Sequence, residues 1–232
     1  MRTAISTNND IFADPLPEIH EPVACESDEQ DIVFVLDSST SVGTGNFKEM
    51  LDFVRDMLLD ADVDSGSVRV GVVLYSTDVS VEFHLNTFNN KPELFSAIEN
   101  IRYMYGNTNT AGGLTALTSE MFITRNGDRP SARNIAFILT DGQSNINSAD
   151  TIPAAEDAKG AGIEIYAIGI GLAEVDELKG ISSQPLSKYL HTVDDFTELE
   201  GLRENMFNTI CAGIESSRRY CVQLDWISLK NL

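Results

Sequence analysis

Basic residues are scarce in this sequence: 16 lysines and arginines stand against 36 aspartates and glutamates, a formal net charge of −20. So acidic a surface excludes general electrostatic binding to nucleic acid or to anionic membrane, and it suits cations. Cysteine is scarce too, with Cys25, Cys211 and Cys221 alone. None forms a Cys-x-x-Cys pair, so zinc-type spacing is missing. No apolar run is long enough to cross a bilayer, and residues 1–10 lack the apolar core of a secretory signal peptide. There is no Gly-x-Ser-x-Gly elbow and no P-loop lysine pattern. The three histidines, His20, His84 and His191, are scattered and read as surface or strand-end residues. With these signatures missing, the chain is expected not to be an enzyme.

What is present fits one domain with tails. The chain has 232 residues, and its 42% of apolar residues can build a full core. Residues 1–28 are polar and acidic, with Pro15, Pro17 and Pro22, and read as a disordered leader. Four apolar, β-branched runs follow: Ile32–Leu36, Val68–Tyr75, Ile135–Leu139 and Ile163–Ile168. Such runs are how strands buried on both faces look. Helical stripes lie between and after them. Phe47, Met50, Leu51, Val54, Met57 and Leu58 form one; Leu114, Leu117 and Met121 form a shorter one; Phe196, Leu199, Leu202, Met206 and Ile210 form the last, with Asp194 or Asp195 as its cap. Val79–Phe83 alternates just after the second run and reads as an antiparallel edge strand reached through the turn Ser76–Asp78. The pattern predicts an α/β domain over residues 29–212: a doubly wound, mostly parallel sheet with one antiparallel edge strand, flanked by helices. Residues 213–232, with Trp226, read as a tail without a convincing element.

Open parallel sheets bind ligands at the carboxyl ends of their strands. Three polar loops belong there: Asp37-Ser-Ser-Thr-Ser41, Tyr105-Gly-Asn-Thr-Asn-Thr110 and Thr140-Asp-Gly-Gln-Ser144. Their carboxylate and hydroxyl oxygens suit a hard cation that takes about six oxygen ligands, such as Mg²⁺. Asp37, Ser39 and Ser41 alternate along a turn and can point one way. By itself that stretch reads as a polar turn; Thr108 and Asp141 give it weight. The Asp37-x-Ser39 turn also resembles the nucleophile strand of haloacid dehalogenase-type phosphatases, but Ser39 stands where their second aspartate, the general acid, belongs.

Asp37-x-Ser39-x-Ser41 after a buried strand, Gly106-x-Thr108 in a middle loop and Thr140-Asp141-Gly142 later resemble the metal-ion-dependent adhesion site of the von Willebrand factor type A domain, in the family's order and separations. The resemblance covers about residues 29–212. It implies direct ligands at Ser39, Ser41 and Thr108, with Asp37 and Asp141 binding directly or through water, and a role for Ser144 in steadying the last loop. The implied ion is Mg²⁺, with Mn²⁺ or Ca²⁺ as substitutes. The implied partner is a protein, such as collagen or another matrix or cell-surface protein, whose acidic side chain completes the coordination sphere.

Resemblance to the extracellular matrilin and collagen members implies more. The chain would be secreted, and a Cys25–Cys211 disulfide would join the ends of the domain. In the chain-entropy model, closing a loop that long stabilises by roughly 4–5 kcal/mol. Cys221 would then be unpaired or would bond another chain into an oligomer. Three rival readings stay open: a self-assembling matrix module in which the ion only stabilises the fold, an intracellular subunit of a larger complex, and a phosphatase-like enzyme, which an assay with a generic phosphate ester would settle.

Overall fold

The structure, a computed structural model, describes residues 29–210. The acidic leader, the tail and all three cysteines, and with them the Cys25–Cys211 pairing and the role of Cys221, lie outside the described residues.

Four strands follow the predicted runs: β1 (Gln30–Asp37), β2 (Val68–Tyr75), β4 (Arg133–Thr140) and β5 (Glu164–Ile170). Every residue of β1 is buried, as befits the middle of a sheet covered on both faces. The antiparallel strand β3 (Val79–Phe83) pairs with β2 through the expected turn, where Ser76 N donates to Asp78 O at 2.8 Å. A sixth strand, β6 (Leu190–Val193), adds parallel to β5. Its four residues are half-buried or exposed, too few and too mixed to show as a run. The order is β3-β2-β1-β4-β5-β6, with all neighbours parallel except β2 and β3. The chain thus winds outward in both directions from β1, and the crevice between β1 and β4 is where such sheets take ligands. Asp37 lies level with Tyr75, and Leu36 with Leu139, so three strand ends leave the sheet side by side.

Alternation along β1 feeds two cores. Ile32, Phe34 and Leu36 pack on one face with Phe47, Met50 and Val54 of α1 (Gly43–Met57), Leu94 and Ile98 of α2 (Lys91–Glu99) and Met206 of α7 (Leu199–Ile210). Val33 and Val35 point the other way, toward α3 (Thr110–Ala116), α4 (Ser148–Gly160) and α5 (Asp176–Ile181). The short α6 (Leu186–Tyr189) leads into β6. Among the described residues no helix is long and apolar enough to cross a membrane.

Three helical stripes were legible and the details differ. Leu114, Leu117 and Met121 are all buried, but α3 begins at Thr110 and gives way to a π-helical turn over Leu117–Met121. The last helix opens with a 3₁₀ turn, Phe196–Glu198, capped by Asp195, whose Oδ1 accepts from Thr197 N at 2.8 Å. Helix α4 shows no apolar stripe because it buries only Thr151, Ala155 and Ala158, and it carries Pro153. Helix α2 rests on two large buried residues and an Asn90 cap, which accepts from Glu93 N at 3.0 Å.

The amino-terminal edge of the sheet is closed by one arginine. Arg129 lies 2.8 Å from the fully buried Asp31 and donates to the carbonyls of Gln30, Gly66 and Ser67. Burial holds Asp31 above the ordinary aspartate range even against that pairing.

Candidate metal centre

Strand β1 ends at Asp37, and the chain turns at once into the serine-rich loop. Asp37 is fully buried, Ser39 nearly so, and Ser41 is exposed, so the loop climbs from the core to the surface. Asp37 Oδ1 accepts from Ser39 N at 2.8 Å, which tightens the turn, and Oδ2 accepts from the Thr140 hydroxyl at 2.7 Å. The Ser39 and Ser41 hydroxyl oxygens are 3.0 Å apart, and Ser41 Oγ donates to Asp141 Oδ1 at 2.8 Å. Four of the five expected residues, Asp37, Ser39, Ser41 and Asp141, are therefore joined through one another or through Thr140.

Thr108 arrives by another route. It is buried just ahead of α3, where Asn109 caps the helix by accepting from Gly112 N at 3.0 Å. Its loop is tied to the serine loop by Thr40 N donating to Gly106 O at 2.9 Å and Gly106 N donating to Thr40 Oγ1 at 3.0 Å. It is tied to the Asp141 loop by Thr108 N donating to Asn145 Oδ1 and Asn145 N donating to Thr108 O, both at 2.9 Å. Ser144 steadies the Asp141 loop as expected, with its hydroxyl 3.2 Å from Thr108 O and its amide 2.9 Å from Glu177 Oε1.

The electrostatics are those of carboxylates drawn out of water. Burial pushes the Asp37 carboxyl up to about 6, against the hydrogen bonds from Thr140 and Ser39 that favour its charged form, and the Asp141 charge pushes the same way as burial. Asp141 is raised as well, again by burial. Two acids drawn out of water, Asp37 fully and Asp141 in part, with no basic partner in their hydrogen-bond network among the described residues, leave negative charge unbalanced. A cation between them would remove that cost.

The donor set fits a small hard ion. In an octahedron with metal–oxygen bonds of about 2.1 Å, neighbouring ligand oxygens stand about 3.0 Å apart. The Ser39–Ser41 and Ser41–Asp141 oxygen separations, 3.0 and 2.8 Å, are ordinary hydrogen-bond lengths that such a sphere can accommodate. Among the described residues no three His, Cys, Asp or Glu side chains gather as a metal cluster. An ion held here would draw on hydroxyl as well as carboxylate oxygens, which are hard donors.

Sequence reasoning passed over several supporting residues. Thr140 orients Asp37. Ser38 Oγ accepts from Met104 N at 2.8 Å, and the Tyr103 hydroxyl donates to Ser39 O while accepting from Gly43 N. These contacts cross between segments 60 or more positions apart, so no local pattern could reveal them.

Comparison with known proteins bears on this arrangement. A family model described as von Willebrand factor type A domain matches residues 31–205. The collagen alpha-1(XII) chain of Notophthalmus viridescens is 34% identical over 211 residues, which is 90% of this chain and 22% of that protein. Matrilin-1 of Bos taurus is 33% identical over 185 residues, 80% of this chain and 34% of that protein. The chain thus spans about a third or less of these relatives. Proximal thread matrix protein 1 from the mussel byssus superimposes with a TM-score of 0.73 at 28% identity, covering 79% of this chain and 48% of that one. One structure of that mussel protein is described with a zinc-occupied MIDAS motif.

Proposed function

The chain belongs to the von Willebrand factor type A domain family, and on that premise we propose that it is a divalent-cation-dependent protein-binding module of the extracellular matrix. Ser39, Ser41 and Thr108 would hold the ion directly, and Asp37 and Asp141 directly or through water. Mg²⁺ is the natural occupant, with Mn²⁺ or Ca²⁺ as substitutes. A bound ion supplies a positive centre with a coordination position for the carboxylate of a partner protein, collagen or another matrix or cell-surface protein.

The chain's own residues supply the geometry. Thr140 and the Ser39 amide fix both oxygens of Asp37, so its charge faces the serine loop in one orientation. Ser41, exposed at the top of the loop, marks the side from which a partner would approach. With two carboxylates and three neutral hydroxyls rather than a full acidic cage, the donor set balances the ion's charge without exceeding it, so the ion can still take the partner's acid as a ligand.

The observation that carries this reading is the convergence of Asp37, Ser39, Ser41 and Asp141 in one hydrogen-bonded cluster of hard oxygens where β1 and β4 leave the sheet. Calorimetric titration with MgCl₂ tests it: wild type should give saturable binding and Asp37→Ala none, while both keep the same circular dichroism. Capture of matrix proteins from a native extract should need Mg²⁺ and vanish in EDTA. If EDTA lowers the melting temperature and leaves capture unchanged, the ion only stabilises the fold and the self-assembly reading wins.

A further inference from the structure

Three loops, two from the ends of β1 and β4 and one leading into α3, must hold their oxygens within about half an ångström of a working geometry. Loop backbones do not do this unaided. Two exposed residues outside the ligand set supply the restraint, and they do it in the same way. Thr40 accepts the Gly106 amide on its hydroxyl and gives its own amide to the Gly106 carbonyl, at 3.0 and 2.9 Å. Asn145 accepts the Thr108 amide on its side-chain oxygen and gives its own amide to the Thr108 carbonyl, at 2.9 and 2.9 Å. Each pair closes a ring of two reciprocal hydrogen bonds between loops, across 66 positions for Thr40 and Gly106 and 37 for Thr108 and Asn145.

We infer that Thr40 and Asn145 are positioning residues, two staples that grip the Thr108 loop from either side and so set its distance from Ser39, Ser41 and Asp141. The inference rests on the metal reading above. The staple positions are telling. Thr40 stands between Ser39 and Ser41, so its ring moves with both serines. Asn145 follows Asp141 in a loop pinned at its start by Gly142 N donating to Thr140 Oγ1 at 3.1 Å and beyond by Ser144 N donating to Glu177 at 2.9 Å. Neither Thr40 nor Asn145 packs in the core, for both are exposed. Their side chains add little to global stability, and what they fix is the relative placement of three loops. Outer partners of metal ligands commonly carry about 10- to 100-fold in metal affinity when removed.

The test uses the full chain and four variants. Thr40→Val and Asn145→Ala remove the side-chain acceptors; Thr40→Ser and Asn145→Asp keep them. Calorimetric Mg²⁺ titration should show about 10-fold or greater weakening for Thr40→Val and Asn145→Ala, with melting temperatures in EDTA close to wild type. Thr40→Ser and Asn145→Asp should bind no more than a few-fold more weakly than wild type. Hydrogen exchange in EDTA should speed up at the Gly106 amide in Thr40→Val and at the Thr108 amide in Asn145→Ala. Wild-type affinity in Thr40→Val and Asn145→Ala overturns the inference, as does equal weakening in Thr40→Ser and Asn145→Asp. Failure of wild type itself to bind Mg²⁺ overturns the metal reading instead, and the staples as metal-positioning residues fall with it.

Discussion

The Thr140 hydroxyl sits 2.7 Å from Asp37 Oδ2, joining β4 to β1 where both strands leave the sheet. The same hydroxyl lies 2.8 Å from the Gly142 carbonyl, and it has one proton to give. With Asp37 charged, the proton goes to the carboxylate. With Asp37 protonated, the carboxyl can donate to Thr140, which then donates to Gly142.

That relay makes Asp37→Asn a benign change in the absence of metal. An amide oxygen can accept from Ser39 N while the amide nitrogen donates to Thr140. Asp37 is held at about 6 in the fold against 3.8 as its ordinary value. Between those values the folded state keeps a proton that the unfolded state has lost, so stability falls as pH rises through the window. At about 1.4 kcal/mol per unit, the wild type should lose roughly 2.5 kcal/mol relative to Asp37→Asn from pH 4 to pH 7.5. Urea unfolding of both proteins in EDTA at the two pH values measures this. Parallel curves would show that Asp37 titrates normally.

Arg129 should matter for stability and not for the metal. Its partner Asp31 is fully buried at the edge of the sheet opposite Asp37. Arg129→Met strands that carboxylate and leaves the Gln30, Gly66 and Ser67 carbonyls short of a donor. Breaking a buried pair from one side costs about 3–5 kcal/mol. The expected result is a large drop in the urea midpoint with Mg²⁺ affinity within a few-fold of wild type under native conditions.

Gly106 is expected to tolerate no side chain. Its φ is +118°, and an added Cβ would stand 2.6 Å from the Thr77 hydroxyl and 3.2 Å from the Thr77 amide. Gly106→Ala should cost about 1–3 kcal/mol through backbone strain alone. Because this glycine carries the Thr40 ring, Mg²⁺ affinity should fall as well. Thermal melts with and without MgCl₂ read both effects: the melting temperature should drop in EDTA, and the rise on adding Mg²⁺ should shrink.

Cys25 and Cys211 are expected to be bridged, on the family resemblance. Non-reducing peptide mapping should recover one linked peptide pair, and dithiothreitol should lower the melting temperature. Recovery of both as free thiols would reject the bridge, and with it one argument for a secreted protein.

The central strands were legible because a strand buried on both faces must be apolar throughout, as Ile32–Leu36 and Ile135–Leu139 are. Helix α1 was legible because its buried residues recur with the helical period. Helix α4 and strand β6 were not: α4 buries small residues that leave no stripe, and β6 is a four-residue edge strand of mixed burial. The sequence by itself determined that Asp37, Ser39, Ser41 and Asp141 follow strands at the sheet's carboxyl edge, since that depends only on strand order and on polar residues placed just beyond apolar runs; Thr108, ahead of a helix, was legible only through the family motif. Only the tertiary structure decided how those loops are held: Thr140 on Asp37, Tyr103 on Ser39, Thr40 on Gly106 and Asn145 on Thr108. Periodicity records which face a residue buries. A hydrogen bond between distant loops leaves no period, and it exists only once the parallel sheet has brought the strand ends level.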